Sequence, residues 1–215
     1  MTTSHEHSVK ITKGKLVLEG LLGLPSGSPG VVVFAHGSGS GRFSPRNNFV
    51  ARHLQRNGFA TLLLDLLTTE EADDRRKVFD IDLLADRLLL AKAWLEAEPR
   101  TENLEIGYFG ASTGAGAALQ AAAREPSNIN AVVSRGGRPD LAEPYLASVT
   151  APTLLIVGGY DEPVIEMNQA AYELLTCEKK LIIVPGATHL FEEPGTLEQV
   201  AEHACNWFQR YLKKR

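Results

Sequence analysis

A serine set between two glycines, Gly110-Ala111-Ser112-Thr113-Gly114, joins two segments that favour different backbones. Upstream, Leu104-Glu105-Ile106-Gly107-Tyr108-Phe109 reads as a buried strand. Downstream, residues 115–124 are rich in alanine, the residue least costly to place in a helix. A strand that runs into a helix across so few residues needs a sharp turn, and that turn lifts the serine hydroxyl above the end of the sheet. Small residues at 110 and 114 let backbones pass closely there. The G-x-S-x-G pattern alone is weak, since glycine makes up about 7% of residues in ordinary proteins. Its flanks are what constrain the fold.

The rest of the chain repeats the alternation. Short β-branched or leucine runs at 9–11, 16–22, 31–35, 60–64, 131–133, 153–157 and 181–184 read as strands. Amphipathic stretches at 45–57, 81–98 and 164–175 read as helices, the first closed by Gly58 and the second stopped by Pro99. A last helix places Val200, Ala204, Trp207, Phe208, Tyr211 and Leu212 on one stripe, and Thr196 with Gln199 reads as its capping box. Strands alternating with helices specify an α/β fold: a mostly parallel central sheet with helices on both faces. In such sheets ligands bind outside the carboxyl ends of the strands.

Bulk properties narrow the class. The chain has 215 residues, 44% apolar and 22% charged, which fits a single domain over 1–215 with a flexible terminus at 1–8. A net charge of −4 argues against nucleic acid as a partner. The first residues are polar rather than signal-like, and the longest apolar run, 60–67, is broken by Asp65, so no membrane association is expected. Cys177 and Cys205 have neither metal-like nor disulfide-framework spacing and read as reduced thiols of a cytoplasmic protein.

A serine hydroxyl cannot attack a carbonyl at neutral pH without a base, and the base needs an acid to fix its tautomer. Asp161 follows the strand ending near Val157, and His189 follows the strand ending near Val184, so the order is Ser, Asp, His. Each has an ordinary reading by itself. Ser112 suits a helix N-cap, Asp161 suits the cap of the helix beginning near Pro163, and His189 suits a loop. Glu162 is the nearest rival for the acid. His5, His7, His53 and His203 fall in the terminus or inside helices. The joint arrangement at strand ends is what points to Ser112, Asp161 and His189 as a triad. An oxyanion also needs preset donors. The amide of Thr113 supplies one, and the loop His36-Gly37-Ser38-Gly39-Ser40-Gly41 supplies another by position, Ser38 ahead of Gly37 or Gly39.

Taken together, Gly110 to Gly114, Asp161, His189 and the His36-Gly37-Ser38 loop resemble an α/β-hydrolase, and the small size resembles its dienelactone hydrolase-like branch, over residues 9–212. The namesake uses a cysteine nucleophile where this chain has Ser112. The resemblance therefore implies ester or carboxylester hydrolysis, with no cofactor and no metal. Thioesterase, lactone or small-peptide hydrolysis, or ligand binding without turnover, are the alternatives.

Residues 134–151 have room for one short helix at 141–148, so no separate lid domain is expected and the site should be shallow or open, suited to small soluble esters. Arg135 and Arg42 lie near strand ends and could fork onto an anionic substituent of the substrate, although arginines there also tie loops together. The charged run 70–77 reads as a solvated loop that could overhang the site. The chain leaves monomer or homodimer open.

Overall fold

The structure, a computed structural model, describes residues 6–213. Eight strands form one sheet: β1 (Glu6–Lys13), β2 (Leu16–Gly23), β3 (Gly30–Ala35), β4 (Ala60–Leu64), β5 (Glu105–Ala111), β6 (Ala131–Arg135), β7 (Thr153–Gly158) and β8 (Lys179–Val184). Their order is β1-β2-β4-β3-β5-β6-β7-β8. β2 runs antiparallel to both of its neighbours, and all pairs from β4 to β8 are parallel. Every residue of β3, β4, β6 and β7 is buried, as strands covered on both faces must be.

The helices are α1 (Pro45–Arg56), α2 (Thr69–Ala72), α3 (Arg75–Val78), α4 (Ile81–Ala97), α5 (Thr113–Arg124), α6 (Glu162–Leu174) and α7 (Thr196–Tyr211). Alternate side chains of the sheet feed two cores. Tyr108 and Val132 pack with Leu88 of α4, Leu119 of α5 and Ala171 of α6. Phe109 and Val133 pack with Leu54 of α1 and Phe208 of α7. This period-2 alternation holds α1 and α7 on one face and α4, α5 and α6 on the other.

Several local expectations need correction. Of the flexible terminus expected at 1–8, residues 1–5 lie outside the described residues, but 6–8 open β1. Glu6, His7 and Ser8 pair with Gly23, Leu22 and Leu21, because a ladder partner satisfies the backbone whatever the side chains. The capping box expected at α7 is absent. The N-cap is Gly195 at φ 81°, and the Thr196 hydroxyl donates instead to Glu193 O at 2.7 Å. A capping box does form at α2, where Glu71 N–H donates to Thr68 Oγ1 at 3.2 Å and Thr68 N–H to Glu71 Oε2 at 3.0 Å. The run expected as a solvated loop thus folds into α2 and α3, the latter capped by Asp74. The short helix expected at 141–148 is a kinked 3₁₀ segment, Pro139–Ser148, in which Pro144 removes a helical donor. Among the described residues no helix is long and apolar enough to cross a membrane. Both cysteines are free thiols.

Candidate active site

The elbow is sterically dictated. Ser112 takes φ 51° and ψ −121°, a positive-φ conformation that costs a non-glycine residue on the order of 1–3 kcal/mol. Three backbone bonds hold it: Ser112 N–H to Arg135 O at 3.2 Å, and Ala115 N–H and Arg138 N–H to Ser112 O at 3.1 and 3.0 Å. A Cβ at Gly110 would sit 2.4 Å from Ala115 Cα, and one at Gly114 would sit 2.3 Å from Ala35 O. Gly114 therefore admits the end of β3, whereas Gly110 admits the elbow's own helix. Ser112 occupies the N-cap position of α5, yet its side chain makes no capping bond. The hydroxyl is left for other work.

Asp161 shows the same pattern. It is the N-cap residue of α6 but caps nothing with its side chain. Instead, His189 Nδ1–H donates to Asp161 Oδ2 at 2.6 Å, a bond that fixes the tautomer and leaves Nε2 as the proton acceptor. Glu162, the rival acid, begins α6. The histidine loop is anchored one residue earlier, where Thr188 N–H and Oγ1–H both donate to Glu193, at 3.0 and 2.7 Å. Those two bonds hold the Glu193 carboxyl below its usual range. Gly136, at φ 52°, lies beneath the imidazole, where a Cβ would come 3.6 Å from His189 Cε1. Because Gly136 follows Arg135, whose carbonyl takes the Ser112 amide, the ring sits one strand over from the serine. Among the described residues no hydrogen bond yet joins Ser112 to His189; such bonds tighten when substrate enters.

The loop after β3 passes against the nucleophile. A Cβ at Gly37 would lie 3.0 Å from Ser112 Cβ and 3.8 Å from its Oγ, so the backbone at Gly37 runs against the nucleophile. The histidine that opens this loop pins it. His36 Nε2 accepts from Leu66 N–H at 3.0 Å, and its Nδ1 meets Gly37 O at 2.9 Å. Burial holds its pKa below the ordinary value, against the opposing pull of Gly37 O and Asp65. It is a neutral structural clasp between two strand ends. The sequence places His36 at the head of the loop but does not show this role, because Leu66 lies 30 residues away.

The two arginines part company. Arg42 is engaged by Asp65 and Glu19, and its backbone N–H also donates to Asp65 Oδ1 at 2.6 Å. Arg135 closes β6, is 5% exposed, and stacks over Phe191 at 5.8 Å. Among the described residues it has no ion-pair partner. Burial, with Arg46 nearby, pulls its guanidinium down to about 10, so it stays charged at neutral pH. Arg46 itself reaches Glu192 at 3.3 Å.

A cavity of about 720 Å³ opens from Thr113 and the 37–39 loop. Leu67, Ala72, Val78 and Leu84 stand in its wall among polar residues such as Ser44, Thr68 and Thr69, so α2 and α3 border this side where a solvated loop was expected.

A family model described as "Dienelactone hydrolase family" matches residues 18–214. The proteins named "Putative phosphoribosyl transferase MT0597" and "Putative phosphoribosyl transferase Rv0571c", from two strains of Mycobacterium tuberculosis, are each 58% identical over 207 residues, covering 96% of this chain and 47% of theirs. The chain thus spans about half the length of these curated relatives. The crystal structure of dienelactone hydrolase from Anabaena variabilis superposes with a TM-score of 0.95 at 57% identity, covering 98% of this chain and 99% of that one. XC6422 from Xanthomonas campestris, described as an a/b serine hydrolase without lid, superposes at a TM-score of 0.79 and 20% identity, covering 99% of this chain and 97% of its own. That likeness bears on the fold alone. The fold is accordingly an α/β-hydrolase without a separate lid domain.

Proposed function

This chain belongs to the dienelactone hydrolase family, and we propose that it is a serine hydrolase that cleaves small carboxylic esters through an acyl-enzyme. The observation that carries the reading is the 2.6 Å His189–Asp161 bond set one strand from an elbow serine whose hydroxyl caps nothing. His189 Nε2 takes the Ser112 proton as Oγ bonds to the carbonyl carbon. The carbonyl oxygen becomes an oxyanion held by the amides of Thr113 and Ser38. Collapse breaks the bond to the leaving oxygen, which receives the proton from His189 and departs as the alcohol. Water then repeats the sequence on acyl-Ser112, releasing the acid and restoring the hydroxyl. Asp161 holds the imidazole in place and offsets its transient charge throughout.

The transferase name belongs to proteins of which this chain spans 47%. A nucleophile elbow with a base and an oxyanion cradle serves acyl transfer, and hydrolysis is what we assign to this segment. Thioesters and lactones present the same carbonyl and belong in the same screen. On the His189 side, Arg135 is the group we assign to an anionic substituent, ahead of Arg42, whose charge two carboxylates already answer.

The test is fluorophosphonate labelling together with hydrolysis of p-nitrophenyl acetate and butyrate by the wild type and Ser112→Ala. Labelling and turnover in the wild type, both lost in the variant, are expected. A folded wild type that neither labels nor turns over would sink the assignment and favour ligand binding without catalysis.

A further inference from the structure

The space beside Ser112 is enclosed on one side only. β2, β4 and β3 lie to one side of β5, and β6, β7 and β8 lie to the other. Asp161 and His189 come from the β7 and β8 ends, whereas the cavity is bordered by Glu19 of β2, the loop after β3, Asp65 and Leu67 after β4, and α2 to α4. It touches Thr113, the residue after the serine, and the 37–39 loop, but is not lined by Ser112, Asp161 or His189 themselves.

That asymmetry orients an ester. The carbonyl oxygen must face the Thr113 and Ser38 amides, and the leaving oxygen must face His189 to receive its proton. The third substituent, the acyl chain, is directed away from His189 and into the cavity. At 720 Å³ the cavity equals roughly two dozen waters at about 30 Å³ each, far more than an acetyl group fills. Leu67, Val78 and Leu84 give its wall an apolar stretch, beside the hydroxyls of Ser44, Thr68 and Thr69. Its charges close on themselves with a negative excess: the single cation Arg42 stands between two carboxylates, Asp65 and Glu19.

We propose that this cavity is the acyl site, and that it selects uncharged apolar acyl groups of four or more carbons over both acetyl and carboxylate-bearing acyl groups. The inference rests on the hydrolase reading above. It divides the substrate's polarity: a neutral, apolar acid enclosed between α2–α4 and the sheet, and an alcohol facing the open His189 side.

The experiment compares kcat/KM for p-nitrophenyl acetate, butyrate and pentanoate, and for mono-p-nitrophenyl glutarate, the five-carbon acyl chain ending in a carboxylate. Full burial of a methylene is worth about fourfold in rate, so pentanoate should exceed acetate by roughly ten- to sixtyfold. Glutarate should fall at least about tenfold below pentanoate. Ala72→Trp, at the exposed rim of the cavity, should cut the pentanoate-to-acetate ratio at least about tenfold. Glu19→Gln, which removes one of the two carboxylates on Arg42, should raise the glutarate-to-pentanoate ratio about three- to tenfold. Turnover with a flat chain-length profile, or glutarate matching pentanoate, overturns the acyl-site assignment alone. Folded protein that hydrolyses none of the esters overturns it together with the hydrolase reading.

Discussion

Gly114→Ala puts the elbow's packing to a quantitative test. The new Cβ would stand 2.3 Å from Ala35 O and 2.6 Å from His36 O. Ordinary contact begins near 3.4 Å, so the two backbones must separate by about 1 Å, and neither atom belongs to a side chain that could swing away. The segments forced apart are the first turn of α5, which carries the Thr113 amide, and the end of β3, which carries the loop to Ser38. Both halves of the proposed oxyanion cradle therefore move relative to each other. Loss of one well-placed donor costs about 10²–10³ in kcat, and a misplacement of about 1 Å costs on the order of 10². Overpacking of this kind also destabilises by about 1–3 kcal/mol, which for a chain of 215 residues lowers Tm by roughly 2–12 °C. Steady-state kinetics on p-nitrophenyl butyrate beside a thermal melt give both numbers. A variant whose kcat stays within about threefold of wild type refutes the claim that this contact sets the cradle, whatever its Tm.

Four further outcomes can be checked. Asp161→Asn should lower kcat by about 10³–10⁴ with little change in KM, because the imidazole loses the partner that fixes its tautomer; a loss under tenfold would return the acid's role to Glu162. Tyr108→Phe should raise Tm by about 2–4 °C, since among the described residues the buried hydroxyl of Tyr108 has no hydrogen-bond partner and an unsatisfied group costs about 1 kcal/mol or more; an unchanged or lower Tm contradicts this. His36 is kept neutral by burial, so as pH falls below 6.5 the unfolded chain takes up a proton there that the native state refuses. Stability should then drop by up to about 1.4 kcal/mol per pH unit, and melts from pH 8 to 5 should show a shallower decline for His36→Gln; equal slopes would refute the clasp. Arg135→Ala should reduce kcat/KM at least about tenfold more for an acetate ester of an anionic alcohol than for a neutral one, and an equal loss on both removes Arg135 from recognition.

Much of the fold was legible because its determinants are local. Seven strands lie on the β-branched and leucine runs and the eighth on the segment before the elbow, and fully buried strands advertise themselves by being apolar on both faces. The candidate site stands out for a related reason. The carboxyl ends of parallel strands are where loops carry polar side chains, so Ser112, Asp161 and His189 stand out against apolar runs. Composition misleads at one place and short-range spacing at another. Residues 70–77 are charged enough to resemble solvent loop, yet Thr68 and Glu71 cap each other, and Val78 faces inward as part of the cavity wall. Thr196 and Gln199 have capping-box spacing, but Gly195 in the left-handed region holds the cap position one residue earlier.

Periodicity marks the strands and the longer helices, and the elbow follows from spacing within a few residues, whereas Ser112, Asp161 and His189 emerge as candidates from their joint order at strand ends. The tertiary structure decided what surrounds them. Arg42 meets Asp65 across 23 residues, His36 meets Leu66 across 30, and Asp161 meets His189 across 28. Whether a guanidinium is neutralised or a hydroxyl left free depends on such partners, and they become neighbours only when the sheet sets one strand end beside another.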